Sequence, residues 1–364
     1  MAIETASATK SDERLAQAGI VRGFFRRVEV GALIGAVVIW VFFAIVAPDI
    51  WLTITGVSRI LDEATTLGIM AAAVALLMIG GEFDLSAGVM TGTTGLLAGM
   101  LAVRGGWNIW LAMLAALVFA AGVGYFNGWM VTKTRLPSFI VTLATFFILR
   151  GANVGVTKLV TDRIVVEGID KAAGFYTARL VLDTEFKLLG ATFRTSTIWW
   201  IVLTLIAAWV LQRTKFGNWI FAVGGDAQAA RNVGVPSNRV KITLFMTTAI
   251  AGWLVGMMNI VRLRSAVASQ GIGEEFVYII CAVIGGSLLT GGYGSALGAA
   301  IGAIIFGMVR VGIVFAGWDT DWFYSFLGIM LLVAVLVNDN TRRRAESVSV
   351  AAAKARTEEV SKDG

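Results

Sequence analysis

Apolar runs recur along the chain at about 29–47, 64–80, 85–103, 107–131, 137–155, 196–212, 241–261, 275–290, 295–316 and 320–337. Most approach the roughly 20 residues that a helix needs to cross a bilayer's hydrocarbon layer. They do not alternate between apolar and polar, and backbone polar groups inside a bilayer need partners within their own segment. The pattern therefore predicts an all-α integral membrane bundle of about ten transmembrane helices rather than a β-barrel. Very short Gly-rich breaks join the pairs near 80–85 and 290–295, so the number of spans turns on them. The domain division expected is a polar tail over 1–28, a transmembrane domain over 29–338 and a second polar tail over 339–364. The first run is too long for a leader's apolar core and no small-residue cleavage site follows it, so it reads as a span.

Polar segments between the runs orient the bundle. Basic residues cluster before the first run (Arg22, Arg26, Arg27), before the fifth (Lys133, Arg135), after the sixth (Arg213, Lys215, Arg231, Arg239, Lys241) and in the last tail (Arg342, Arg343, Arg344). Alternating from an N-terminus inside puts all of these on the cytoplasmic side, where Lys and Arg accumulate. Arg59, Arg104, Arg262, Arg264 and Arg310 then fall in short outer loops. Both termini are expected inside. Residues 156–195 form an outer loop that mixes Val and Ile with charges, and short strands or a short helix are expected there. Trp107, Trp110, Trp199 and Trp200, near run ends, are expected as interfacial anchors.

Composition narrows the function. Hydrophobic residues make up 57% and charged residues 15%, with a mean hydropathy of +0.79. The net charge of +6 is read as topology, with lipid as the partner and no nucleic acid. There is no histidine and a single cysteine, Cys281, inside an apolar run. This excludes an internal disulfide and removes the usual metal ligand and general base. No catalytic residue, metal or cofactor is expected. A phosphate-cradling Gly-x4-Gly-Lys-[Ser/Thr] loop is missing, so any ATP hydrolysis belongs to another subunit.

Two stretches are alike. Residues 67–88, LGIMAAAVALLMIGGEFDLSAG, and 277–298, VYIICAVIGGSLLTGGYGSALG, both run from an apolar helix through Ile-Gly-Gly into a small-residue helix. Gly-interrupted segments in corresponding halves point to a transport pathway. Gly80, Gly81, Gly285 and Gly286 are accordingly gating or pathway candidates. So are Glu82, Asp84 and Ser86 beside the first break, and Asn127, Thr142, Thr145 and Asn259 within spans. An acid near the bilayer is costly, although Asp84 is also placed to cap the helix after it.

The loop 213–240 contains a further signal. Asp226 is a good N-cap, Ala227 to Val233 favour helix, Gly234 suits a left-handed C-terminal position, and Pro236 stops the helix. A two-turn helix is expected between two spans. Alone it is marginal in water, so it needs packing or a partner.

Here a family resemblance enters. Gln228-Ala229-Ala230-x3-Gly234 resembles the Glu-Ala-Ala-x3-Gly coupling loop of importer permeases, with Gln in place of Glu. Three further segments are similar to the ribose/sugar-type branch of ATP-binding-cassette importer permeases. They are Gly80 to Gly88, Leu136 to Thr145 continuing to Gly151, and Ile284 to Gly298. The segment near 156–180 departs from that pattern, being longer and more charged. The resemblance implies a bacterial inner-membrane, multi-pass permease that imports a sugar or polyol by alternating access. It also implies a second permease copy in a homodimer or heterodimer, a cytoplasmic ATPase subunit and a periplasmic solute-binding protein. Asp226, Gln228, Ala229, Ala230, Arg231 and Gly234 would couple to that ATPase. An ion-gradient-driven secondary transporter of a small polar solute is the alternative.

Overall fold

The computed structural model describes residues 28–326 together with 328, 329 and 332. Both polar tails, apart from Val28, and eight residues of the run expected at 320–337 lie outside these residues.

The chain is a helical bundle in which seven of the described helices are long and apolar enough to cross a membrane. They are α1 (Val28–Val46), α3 (Ile54–Ile79), α5 (Ile109–Thr134), α6 (Ser138–Thr161), α8 (Thr195–Arg213), α11 (Ser237–Leu263) and α13 (Ala296–Phe315). A one-turn helix, α2 (Pro48–Trp51), joins α1 to α3. Two apolar helices are shorter: α4 (Ala87–Val103), of 17 residues, and α12 (Glu274–Ile284), of 11.

Two boundaries differ from the sequence pattern. Helix α3 starts at Ile54, ten residues before its apolar run, where Thr53 accepts a hydrogen bond from the Gly56 N–H at 3.1 Å. Its first turns carry Arg59, Asp62 and Glu63, which broke the apolar pattern; Asp62 pairs here with Arg262 at 2.8 Å and Glu63 with Arg310 at 3.2 Å. Arg59, Arg262 and Arg310 consequently lie on helices rather than in loops. The run expected over 275–290 is helical only to Ile284, because the chain turns at Gly285 and Gly286.

Contacts between distant segments define two ends. At one end Ser295 Oγ bonds Glu29 at 2.6 Å, Gly292 N–H donates to the Ile79 carbonyl at 2.8 Å, and Phe83 N–H donates to Ser138 Oγ at 3.1 Å. At the other, Ser58 donates to the Thr192 carbonyl, Trp110 Nε1–H donates to Thr177 Oγ1 at 2.9 Å, and Arg262 meets Asp62 and Asp183. The chain alternates between these ends, as spanning helices require. Helices α3, α11 and α13 form the centre, with 78%, 67% and 72% of their most apolar windows buried, against 17% for α1 and 33% for α5 and α6. The outer helices expose Ile45, Val118 and Ile148, as expected where lipid is the solvent.

The segment after α6 caps the end away from Ser295. Strand β1 (Val165–Glu167) pairs antiparallel with β4 (Ser265–Val267), aligning Val165 with Val267. Between them lie α7 (Phe175–Leu182) and a hairpin of β2 (Glu185–Leu188) with β3 (Ala191–Arg194). Leu189 and Gly190, both at positive φ, make its two-residue turn; such turns match strand twist. Trp107 and Trp110 are exposed near this end, whereas Trp200 is buried against Gly68 and so packs the core instead of anchoring an interface.

Candidate coupling and gating site

The loop 213–240 folds into two helices. The first, α9 (Lys215–Gly225), was hidden by its glycines. It starts where Thr214 accepts from the Gly217 N–H at 3.1 Å and buries Gly217, Ile220 and Val223 on one face. The second, α10 (Ala227–Asn232), follows at once. Asp226 Oδ1 accepts from the Gln228 N–H at 2.8 Å and the Ala229 N–H at 2.9 Å. These bonds, Ala229's first, hold the Asp226 carboxyl below the usual carboxylate range. The helix ends with Gly234 at φ 89°, its N–H donating to the Arg231 carbonyl at 3.0 Å, while the Val235 N–H donates to the Ala230 carbonyl at 3.0 Å. That pair of bonds is a Schellman closure. Ala230 is the inward residue, packed in a cluster with Ile220, Val240 and Leu244. Gln228, Ala229 and Arg231 are exposed, as is Val233 at 79%. This short helix thus presents its outward face to solvent.

The Gly-Gly breaks behave as a pair. After α3, the Gly81 N–H donates to the Met78 carbonyl at 2.9 Å and the Glu82 N–H to the Leu77 carbonyl at 3.1 Å. After α12, the Gly286 N–H donates to the Val283 carbonyl at 2.8 Å and the Ser287 N–H to the Ala282 carbonyl at 2.9 Å. Gly81 and Gly286 take φ of 82° and 92°. Each break is the same Schellman closure, so the repeat legible in the letters is a repeat in backbone geometry.

The breaks and the short helices meet. A methyl group on Gly224 would lie 1.7 Å from the Ile79 carbonyl oxygen and 2.6 Å from the Gly292 nitrogen. The end of α9, the first break and the loop after the second therefore touch backbone to backbone.

A polar network fixes the first break. The Phe83 N–H donates to Ser138 Oγ, and the Leu85 N–H to Thr142 Oγ1, both at 3.1 Å. The N-cap of α4 is Ser86, not Asp84, because the helix begins only at Ala87. Asp84 Oδ1 instead accepts from the Ser86 N–H at 2.8 Å and the Ser86 hydroxyl at 2.5 Å. Asn127 Nδ2–H then donates to Ser86 Oγ at 3.1 Å, and Thr145 donates to Asn127 Oδ1 at 2.7 Å. Glu82, buried, pairs with Lys241 on α11. This pair borders a cavity of about 600 Å³ lined also by Arg135, Ser138, Gln228 and Arg231. Gly80, Gly81, Glu82, Asp84, Ser86, Asn127, Thr142 and Thr145 are thus brought together. Gly285 and Gly286 join them through the 288–294 loop. Asn259 does not; it lies 18 residues beyond Lys241 on α11, about 27 Å along the helix.

Sequence reasoning missed a second cluster, at the opposite end. Buried Asp183 accepts from Arg194 at 2.9 Å, from Arg262 Nε at 2.8 Å and from Ser196 Oγ at 2.7 Å. Its partners come from β3, α8 and α11, and no local spacing links them.

The description "Branched-chain amino acid transport system / permease component" belongs to a family whose profile matches residues 56–335. A xylose transport system permease protein of Escherichia coli is 30% identical, over 87% of this chain and 93% of its own length. A ribose import permease protein of Escherichia coli is 30% identical over 85% and 92%. A fructose import permease protein of Rhizobium meliloti is 29% identical over 79% and 78%. No solved structure matches this chain.

Proposed function

This chain belongs to the family of branched-chain amino acid transport system permease components, and from that premise we propose that it is the membrane subunit of an ATP-driven, binding-protein-dependent sugar importer. It is a multi-pass transport component of the bacterial inner membrane and not an enzyme. In this reading both termini are cytoplasmic, about ten spans cross the bilayer, and the end bearing α10 faces the cytoplasm. The three relatives carry xylose, ribose and fructose in their names, which supports a sugar as solute. A cytoplasmic ATPase, a periplasmic solute-binding protein and a second permease copy complete the assembly.

The observation that carries the reading is the seating of α10. It is capped at both ends, outward-facing, and attached through Gly224 to the junction of the two breaks. Closure of the ATPase would push Gln228, Ala229 and Arg231 and tilt α9. The breaks at Gly80–Gly81 and Gly285–Gly286 would then hinge α4 and α12, alternating access to the pathway. Glu82 with Lys241, and the chain Asp84–Ser86–Asn127–Thr145, would hold the closed position.

Copurification from mild detergent tests this. Wild type is expected to bring down an ATPase subunit. The double variant Ala230→Glu/Gly234→Pro is expected to fold but lose it, since Pro cannot adopt the positive φ at 234 and lacks the N–H bonded to Arg231. Failure of any ATPase to co-elute with the wild type, together with ion-driven uptake, would establish the secondary-transporter alternative.

A further inference from the structure

The cavity beside the first break is framed by helix ends. Helix α5 stops at Thr134, α6 starts at Ser138, α10 covers Ala227–Asn232 and α11 starts at Ser237. Arg135 forms the corner between α5 and α6, at φ 60°.

The charges on the cavity wall do not cancel. Arg135, Arg231 and Lys241 line it, and Glu82 is the one carboxylate among the lining residues. Lys241 takes Glu82. Neither Arg135 nor Arg231 pairs with a carboxylate among the described residues. Three cations against one acid leave a net positive charge in a space of about 600 Å³. Neutral donors stand among the cations. Gln228 and Asn238 contribute amides. Buried Ser138 accepts from the Phe83 N–H at 3.1 Å, which leaves its hydroxyl proton available to a further acceptor. Such a wall suits an anion with several acceptor oxygens, and guanidinium groups match phosphate in particular.

The rim indicates what carries the phosphate. Leu136 lines the cavity and is exposed, and Phe139 and Ile140 beside it are exposed as well. The apolar strip continues along α6 through exposed Phe147 and Ile148. A phospholipid with its acyl chains along this strip places its phosphate at the level of the helix ends. A soluble phosphate has no use for the strip. Basic pockets between spans on the cytoplasmic side are suited to anionic headgroups.

We propose that the cavity walled by Arg135, Ser138, Gln228, Arg231, Asn238 and Lys241 holds the phosphate of an anionic phospholipid of the cytoplasmic leaflet. The site rests on the permease reading above for its side of the membrane, and adds a ligand and a regulation to it. A phosphate bonded to both Arg135 and Arg231 bridges the α5–α6 corner to α10 and sets how firmly α10 is held. Ser138 extends that bridge to the first break through its bond with Phe83.

The test uses the complete transporter in nanodiscs of phosphatidylcholine containing a phosphatidylglycerol probe with a photoreactive headgroup. After illumination the labelled peptides are mapped by mass spectrometry. Labelling is expected within 131–138 and 228–241. Unlabelled phosphatidylglycerol should compete, whereas added phosphatidylcholine or millimolar inorganic phosphate should not. Arg135→Gln and Asn238→Asp are each expected to lower labelling about tenfold, as loss or repulsion of one charged contact would. Arg135→Lys should recover part of it. The two changes lie on different elements, so either carries the test if the other fails to assemble. ATP-driven uptake should rise severalfold when phosphatidylglycerol replaces part of the phosphatidylcholine in liposomes, and Arg135→Gln should not show that rise. Labelling confined to other peptides, or undiminished in the assembled variants, overturns the site. Inorganic phosphate competing as well as phosphatidylglycerol overturns the lipid in favour of a soluble phosphate. Peptides that label only once the ATPase is stripped away give the cavity to an acidic face of that subunit and overturn the lipid too. If no ATPase co-elutes with the wild type, the same labelling and competition on the chain alone still support the lipid site while the importer reading falls.

Discussion

Glu82 and Lys241 stand 159 residues apart in the chain and meet beside the first break. Glu82 is buried and the Lys241 side chain is 20% exposed, so removing one charge strands the other. Lys241→Met is expected to destabilise the protein by about 3 kcal/mol. Glu82→Gln combined with Lys241→Met should recover much of this. Thermal unfolding in detergent of the two singles and the double measures the coupling, and strictly additive losses would contradict a direct pair. Gly224 supplies a second test at this scale. Gly224→Ala drives a methyl group into the Ile79 carbonyl and should cost at least about 2 kcal/mol. Gly225→Ala next to it meets nothing within 4 Å and should change stability by less than about 0.5 kcal/mol. Pairings of this kind were not legible in the letters. Glu82 was singled out as an acid near the bilayer, but nothing in its neighbourhood names Lys241, just as nothing near Asp183 names Arg262.

At the scale of the element, α10 shows what local chemistry specifies. Asp226, the Ala-rich turn, Gly234 and Pro236 are all within ten residues, and each acts through a near neighbour. Start, stop and cap were therefore readable from the sequence. The same segment's α9 was not, because two glycines at its end read as a break while Ile220 and Val223 are held by tertiary packing. Helix α12 failed in the opposite sense: its apolar letters run past Gly285, but the closure there ends the helix. The cap of α10 also predicts a pH response. Asp226 is held below its ordinary range, so its contribution to α10 is complete above the unfolded-state value. It is lost as pH falls through the lower folded value. Attachment of the ATPase should weaken on acidification in the wild type. Asp226→Asn should remove that dependence while retaining a cap. Cross-linking of position 228 to the ATPase across a pH series reads both, and an identical pH profile in the two proteins would contradict the cap's role.

For the molecule as a whole, long apolar runs were the most legible feature, since helices α1, α5, α6, α8, α11 and α13 each follow one. Half-buried or broken segments were less so: Arg59, Asp62 and Glu63 masked the start of α3, and the turn at 268–273 replaced half a span. Asp62 and Glu63 find their partners, Arg262 and Arg310, on distant helices. The end of α9, the first break and the loop after the second meet backbone to backbone at Gly224. The most direct measurement is solute uptake by the complete transporter in liposomes, with and without enclosed ATP and with imposed proton or sodium gradients. The account predicts accumulation of D-xylose, D-ribose or D-fructose that requires ATP, persists when ion gradients are collapsed, and is abolished by Ala230→Glu/Gly234→Pro. Accumulation that follows an ion gradient, needs no ATP and survives that substitution would contradict it.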